Sequence, residues 1–131
     1  MMWQQYNPNP VRSDGSVGDC AVRAIAKALG ISWEEAYAKL TINGFLMGDV
    51  ISSDLVWGSV LREAGFVREV IPNTCPDCYT VGEFCEDHPV GTYVLKSNNH
   101  VATVQDGVLY DSWNSKMNVP IYYWYKERKE E

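Results

Sequence analysis

In the first half of the chain, apolar residues recur at the spacing of one helix face. Val22, Ile25 and Leu29 lie three or four residues apart, as on the buried side of an amphipathic helix. Asp19 is a typical helix cap and Gly30 is a typical helix stop, so the predicted helix runs between them. The next residues predict another helix.

Ser32 and Glu35 have the spacing of a capping box, in which each side chain binds the backbone of the other residue. The helix that they open is expected to end at about Leu40. Glycines interrupt residues 41–50, and we interpret that segment as a loop.

A third helix, from residues 52–53 to Gly65, is the last helical pattern before the chain changes to strand composition. Asp106-Gly107 can adopt the positive φ angles of a two-residue turn, so its flanking segments predict a β-hairpin. Helices followed by antiparallel strands indicate an α+β fold in a single domain over residues 1–131, with the first helix packed on the sheet. The predicted strands cover residues 66–71, 91–96, 101–105, 108–113 and 121–125.

The composition limits the partners that the protein can have. Hydrophobic residues make up 46% of the 131 residues, and the formal net charge is -6 without a basic stripe that could neutralise phosphates. We therefore expect no nucleic-acid partner and no membrane partner. The sequence has neither a leader pattern nor an apolar run of about 20 residues, which predicts a cytoplasmic protein. The mixed-charge tail, residues 126–131, is expected to be frayed.

Cys20 falls in the first turn of the predicted first helix. A thiol at this position feels the positive end of the helix dipole and the unpaired backbone N–H groups, which can lower its pKa to roughly 3.5–7.5. This is the environment of a nucleophilic cysteine. The alternative interpretation is a small buried residue at a helix start.

The predicted hairpin supplies a base for that nucleophile. If Asp106-Gly107 is a two-residue turn, the register places His100, Asp111 and Trp113 on one face of the sheet. His100 could then exchange a proton with the thiol, Asp111 could orient the imidazole, and Trp113 could cover the bond between them. Each of the three also has an ordinary structural explanation.

These residues resemble the papain-like cysteine peptidases. A cysteine at a helix start, Asn99-His100-Val101-Ala102 and Asp111-Ser112-Trp113 are similar to that family's nucleophile helix, histidine strand and Asn-Ser-Trp segment. The resemblance implies a papain-like α+β fold, in which the nucleophile helix packs on an antiparallel, half-barrel-like sheet. It also implies a catalytic triad of Cys20, His100 and Asp111. Asp111 replaces the asparagine of papain, as in the related bacterial peptidases that cleave bacteriocin leaders.

The same resemblance implies acyl transfer through a thioester, with a peptide or protein as the substrate and no cofactor for catalysis. The glutamine that would donate to the oxyanion is absent, because Asp14 occupies that neighbourhood. The backbone N–H of Cys20 can supply one donor. For the side-chain donor we rank Asn7 and Asn9 first, ahead of Gln4 and Gln5; an ordinary turn before proline explains the two asparagines equally well.

A second cluster of chemically active residues lies further along the chain. Cys75, Cys78, Cys85 and His88 form two close pairs separated by six residues. Three thiolates and one imidazole suit a tetrahedral structural Zn²⁺ without an open position for water. We therefore predict a zinc-knuckle-like insertion at about residues 74–89. A disulfide between two of the three cysteines, or free thiols, are the alternatives.

Two other functions use the same residues differently. In a non-catalytic, zinc-stabilised interaction module, the Cys20 helix would belong to the core, and Trp33, Trp57 and residues 122–125 would form the binding surface. In an acyltransferase or transglutaminase-like enzyme, the same Cys-His-Asp set would pass the acyl group to an amine instead of water.

Overall fold

The computed structural model describes residues 2–126, which form an α+β fold with four helices and a six-stranded mixed sheet. The predicted tail at 126–131 lies almost entirely outside the described residues. None of the helices within residues 2–126 has the length and apolar character needed to cross a bilayer. In chain order the elements are β1 (Trp3–Gln5), α1 (Cys20–Leu29), α2 (Trp33–Met47), α3 (Asp54–Glu63), β2 (Phe66–Val70), α4 (Val81–Asp87), β3 (Thr92–Ser97), β4 (His100–Gln105), β5 (Val108–Asp111) and β6 (Tyr122–Lys126).

The strand order of the sheet is β1-β5-β4-β3-β6-β2. Four of the neighbouring pairs are antiparallel, but β1 lies parallel to β5, with Gln5 opposite Asp111. The prediction of a purely antiparallel sheet is therefore wrong at this edge. The three residues of β1 are too few for a strand periodicity, so only the tertiary pairing identifies the strand.

Both faces of the sheet are covered by helices. Side chains that alternate along β3 and β4 point to opposite sides: Val94 and Val101 pack with α1, α2 and α3, whereas Leu95 and Ala102 pack with α4. The hydroxyl of Thr103 in β4 donates to the backbone oxygen of Ala24 in α1 at 2.8 Å. This contact fixes the position of α1 along the strand that begins with His100.

The predicted start of α2 is confirmed, but its predicted end is wrong. Ser32 and Glu35 form the capping box, and the helix continues past Leu40 to Met47. Gly44 lies within this helix, and a Cβ there would lie 2.8 Å from the backbone oxygen of Asp49. The close approach of this backbone requires glycine. Gly48 then ends the helix in the left-handed conformation with φ 67°.

The hairpin of β4 and β5 is confirmed in its register. Gln105 lies opposite Val108 and Thr103 lies opposite Tyr110, across the predicted Asp106-Gly107 turn. The helix α3 and the strands β2, β3 and β6 also lie where the sequence predicts them, within two residues at each end.

The helix α4 is the largest element that the sequence interpretation missed. Its Val81, Phe84 and Cys85 recur at helical spacing and are buried against the sheet, and Thr80 caps its first turn by accepting from the N–H of Glu83. The Thr80-to-Glu83 spacing is itself a capping signal. It was obscured because the neighbouring cysteines favoured a metal-binding loop.

Candidate active site

The hairpin brings His100 and Asp111 together. Nε2 of His100 lies 2.6 Å from Oδ2 of Asp111, and both side chains are largely buried. The backbone of Asp111 is also held from the other edge of β5, because its oxygen accepts from the N–H of Tyr6 at 2.8 Å. The imidazole and the carboxylate therefore lie on a strand pair that is fixed from both sides.

Cys20 reaches the same place from α1. Its thiol is half-buried and lies beside the His100 side chain and the Val101 backbone, both of which lower its pKa. Because Nε2 of His100 binds the carboxylate of Asp111, which can only accept when ionised, Nε2 carries a proton and Nδ1 is left for the sulfur. The structure thus brings the three predicted residues together, with the imidazole between the thiol and the carboxylate.

The surroundings of Cys20 favour its thiolate. Burial alone would raise the pKa of the thiol, but the hydrogen bonds from His100 and Val101 and the positive charges of His100 and Arg23 lower it below its usual value. Cys85 shows the contrast, since burial raises its pKa to about 11. Of the two free cysteines among residues 2–126, Cys20 is therefore the activated one.

The imidazole is correspondingly shifted toward its charged form. Burial would lower the pKa of His100, but its hydrogen bonds to Asp111 and Cys20 and their negative charges raise it to about 9. For Asp111, burial alone would raise the pKa, but the hydrogen bonds from His100, Ser115 and Ser112, with the charge of His100, lower it. The arrangement favours a thiolate–imidazolium pair with an ionised carboxylate behind it.

Four groups surround the carboxylate of Asp111, and all are donors. The first is Nε2 of His100. In addition, the Ser115 hydroxyl donates to Oδ2 at 2.5 Å and the Ser112 N–H donates to Oδ1 at 2.8 Å. Nη2 of Arg23 lies 3.5 Å from Oδ1. An ionised carboxylate accepts all four, whereas an amide at this position would face donors with its own NH₂ group.

Arg23 also pairs with Asp19, which is buried one helical turn before it. The other oxygen of Asp19 accepts from the indole N–H of Trp33 at 2.9 Å and from the amide of Asn9 at 3.3 Å. The prediction that Asp19 caps α1 is confirmed in position, because Asp19 is the N-cap residue. Its carboxylate, however, binds these three groups instead of the first-turn N–H groups. The N–H of Cys20 belongs to that first turn.

Of the two side chains predicted to donate to the oxyanion, Asn9 has other partners and Asn7 lies outside the cavity wall. Asn9 is buried and lines the cavity beside Cys20, but its Nδ2 donates to Asp19 and its Oδ1 accepts from two backbone N–H groups. Oδ1 of Asn7 accepts from the Asn9 N–H at 3.3 Å, and Asn7 is not part of the cavity wall. The two asparagines shape the loop before α1, and the Cys20 N–H stays the backbone donor that we predict.

Trp113 lies against the imidazole, as the hairpin register predicts. Its ring centre is 5.3 Å from that of His100, and its side chain is 49% exposed. The indole therefore covers one side of His100 while its outer face contacts solvent. A cavity of about 720 Å³ opens beside Cys20 and His100, with walls from the loop before α1 and from α1, α2 and α3.

The four residues predicted to bind zinc do not converge. Cys75 and Cys78 form a disulfide, which was one of the alternatives, and Cys85 is buried among the apolar side chains of α4. Nδ1 of His88 donates to the backbone oxygen of Phe84 at 2.8 Å, and its ring stacks on the Phe84 ring. Among residues 2–126, no three His, Cys, Asp or Glu side chains form a group that could hold a metal. Zinc binding stays a prediction that metal analysis can test.

The sequence interpretation missed Arg23 and Ser115. Arg23 had a signal, since it is a charged residue that borders the apolar face of α1 and lies one turn after Asp19. A buried arginine at such a position requires a buried carboxylate partner. Ser115 had no comparable signal, because the turn that places it follows β5 without any regular pattern.

Comparisons of the chain with protein-family models, with curated proteins and with solved structures found no match.

Proposed function

We propose that this protein is a cysteine peptidase or a related amide hydrolase with a papain-like arrangement, in which Cys20 forms a thioester with the substrate. One observation carries the proposal: the His100 imidazole of β4 is hydrogen-bonded to Asp111 of β5 and lies beside Cys20 of α1, close enough for His100 and Cys20 to shift each other's pKa. The helix-borne thiol beside a strand-borne imidazole is what the resemblance to papain-like peptidases implies.

In the proposed reaction, the thiolate of Cys20 attacks the amide carbonyl carbon and forms a C–S bond. The N–H of Cys20 stabilises the negative oxygen, and His100 gives its proton to the leaving amine as the C–N bond breaks. Water then attacks the thioester, His100 takes a proton from it, and the acid leaves with regeneration of the thiolate. Asp111 holds the imidazole in the orientation that both steps need.

The test is a search for cleaved bonds. The full chain is incubated with a peptide mixture prepared from a cell lysate, and new N-termini are identified by mass spectrometry. We expect a recurrent set of new termini with the wild type and none with Cys20→Ala or His100→Ala. Cys85→Ala is the matched control, because it removes a free thiol outside the proposed site and should retain the cleavage.

Two results would contradict the proposal. The same termini with Cys20→Ala would mean that the cleavage comes from elsewhere, and loss of the fold in Cys20→Ala, measured by circular dichroism, would favour a purely structural cysteine. Adding a primary amine to the reaction separates hydrolysis from acyl transfer, since an acyltransferase would give products extended by that amine.

A further inference from the structure

The cavity beside the proposed nucleophile is large enough to hold more than the reacting amide. Its volume of about 720 Å³ lies within the range of small-molecule binding sites. Cys20 and His100 form part of its wall, so a group bound in the cavity lies next to the bond under attack. The rest of the wall therefore indicates which chemical groups the substrate carries there.

The wall offers mainly carbon surface. The rings of Trp33 and Tyr37 pack together with their centres 5.0 Å apart, and Ile51 lies on the same wall. The indole N–H of Trp33 donates to Asp19 and that of Trp57 donates to Asp54. Because both indole N–H groups are bound within the protein, the two tryptophans present apolar faces to a ligand.

The charged groups in the wall are mostly paired already. The Lys96 amine lies 3.1 Å from Asp54, and the carboxylate of Asp19 pairs with Arg23. Arg12 is exposed at the rim, where it donates to Ser16. Away from Arg12, a charged substrate group inside the cavity would lose its hydration among side chains whose charges are already paired, whereas an apolar group would be stabilised by burial.

We propose that this cavity binds a bulky apolar side chain, aromatic or branched aliphatic, adjacent to the amide that Cys20 attacks. The assignment rests on the proposed function, because it places that side chain relative to the reacting bond. We therefore expect the substrates to be peptides with an uncharged, apolar segment next to the reacting amide.

Thiol-reactive probes can test the proposed apolar cavity without a known substrate. Iodoacetamide and N-benzyl iodoacetamide both transfer their CH₂ carbon to the Cys20 thiolate, forming a C–S bond and releasing iodide. For each probe, the rate of alkylation at Cys20 is measured by mass spectrometry of the peptide that contains Cys20. This rate is divided by the rate at which the same probe alkylates glutathione. We expect the corrected rate of the benzyl probe to saturate with concentration and to exceed that of iodoacetamide by roughly tenfold or more.

Substitutions in the cavity wall test whether the preference for the benzyl probe arises from this cavity. Tyr37→Ala and Ile51→Ala should each remove most of the benzyl preference, which is measured against the iodoacetamide rate of the same variant. Ile42→Ala is the matched control, because its side chain is exposed on α2 outside the cavity, and it should retain the preference.

The ratio of the two rates separates this inference from the proposed function. Rapid iodoacetamide labelling with a corrected ratio near one would overturn the apolar cavity and leave the nucleophile in place. Slow labelling by both probes with a high ratio would support the cavity and contradict the activated thiol. A high ratio that Tyr37→Ala and Ile51→Ala both leave intact would also overturn the assignment.

Discussion

Arg23 and Asp111 are 88 residues apart in the chain, yet Nη2 of the arginine lies 3.5 Å from Oδ1 of the aspartate in the protein interior. Arg23 also pairs with the buried Asp19, so its guanidinium connects the first turns of α1 to the end of β5. The helix that carries the thiol and the strand that carries the carboxylate thus share one buried cation.

The first prediction concerns this cation. Arg23→Gln removes a positive charge that lowers the pKa of Cys20 and leaves Asp19 buried without its partner. We expect a higher pKa for Cys20, measured from the pH dependence of its alkylation by iodoacetamide. We also expect a loss of about 3–5 kcal/mol in the free energy of unfolding, measured by urea denaturation.

Arg23→Lys covers the case in which Arg23→Gln does not fold. It keeps the charge but not the forked geometry, so the pKa of Cys20 should stay closer to the wild-type value while stability still decreases. Lys39→Gln removes a charge from an exposed position on α2 and serves as the control. Equal changes in the pKa of Cys20 in Lys39→Gln and Arg23→Gln would show that this pKa depends on the net charge of the protein and not on the position of Arg23.

The second prediction concerns Asp111→Asn. Since all four partners of the carboxylate are donors, the NH₂ group of asparagine would face at least one of them, and the negative charge that raises the pKa of His100 would be lost. We expect the pKa of His100, followed by NMR, to fall below about 9. Turnover of a cleaved peptide should fall by about 10²- to 10⁴-fold.

Ser115→Ala is the comparison variant, because it removes only one of those donors and keeps the charge. Its effect on turnover should be much smaller than that of Asp111→Asn. An Asp111→Asn variant with wild-type turnover and an unchanged pKa for His100 would exclude Asp111 from the proposed triad.

The third prediction is a bell-shaped pH dependence of turnover. The active form needs the thiolate of Cys20, so activity rises as the pH passes upward through the lowered pKa of the thiol. It also needs protonated His100 for the leaving amine, so activity falls as the pH passes about 9. Initial rates measured across this pH range test both the rise and the fall in activity. Activity that keeps rising above pH 9 would contradict the role of His100 as the acid.

The fourth prediction counts reactive cysteines. If the Cys75–Cys78 disulfide is present, iodoacetamide in denaturant and chelator without reductant should modify two of the four cysteines, Cys20 and Cys85. Bound zinc would instead leave all four thiols free for modification after chelation and would give one zinc per chain in elemental analysis. Protein purified without chelator is needed for both measurements.

The parts of the site that follow from local pattern could be predicted from the sequence. The Asp106-Gly107 turn sets the register of β4 and β5, and with it the meeting of His100 and Asp111. Cys20 at the start of α1 follows from helical spacing.

The remaining features depend on tertiary contacts that have no local signature. The pairing of β1 with β5 joins three residues near the start of the chain to three residues of a distant strand. The carboxylate of Asp19 turns away from the helix end because Arg23, Trp33 and Asn9 bind it. The missed end of α2 has a similar cause, since Gly44 is required by a backbone contact and not by flexibility.

The hydrogen bond between Thr103 and the backbone of Ala24 has a consequence for how the site assembles. His100 and Asp111 are neighbours on a hairpin, a structure that closes in microseconds, whereas the thiol arrives only when α1 docks over a long loop. Without the docked helix, Cys20 would lack the influence of His100 and Val101 and would have the pKa of an ordinary thiol. The chemical reactivity of Cys20 therefore reports whether α1 is docked on β4.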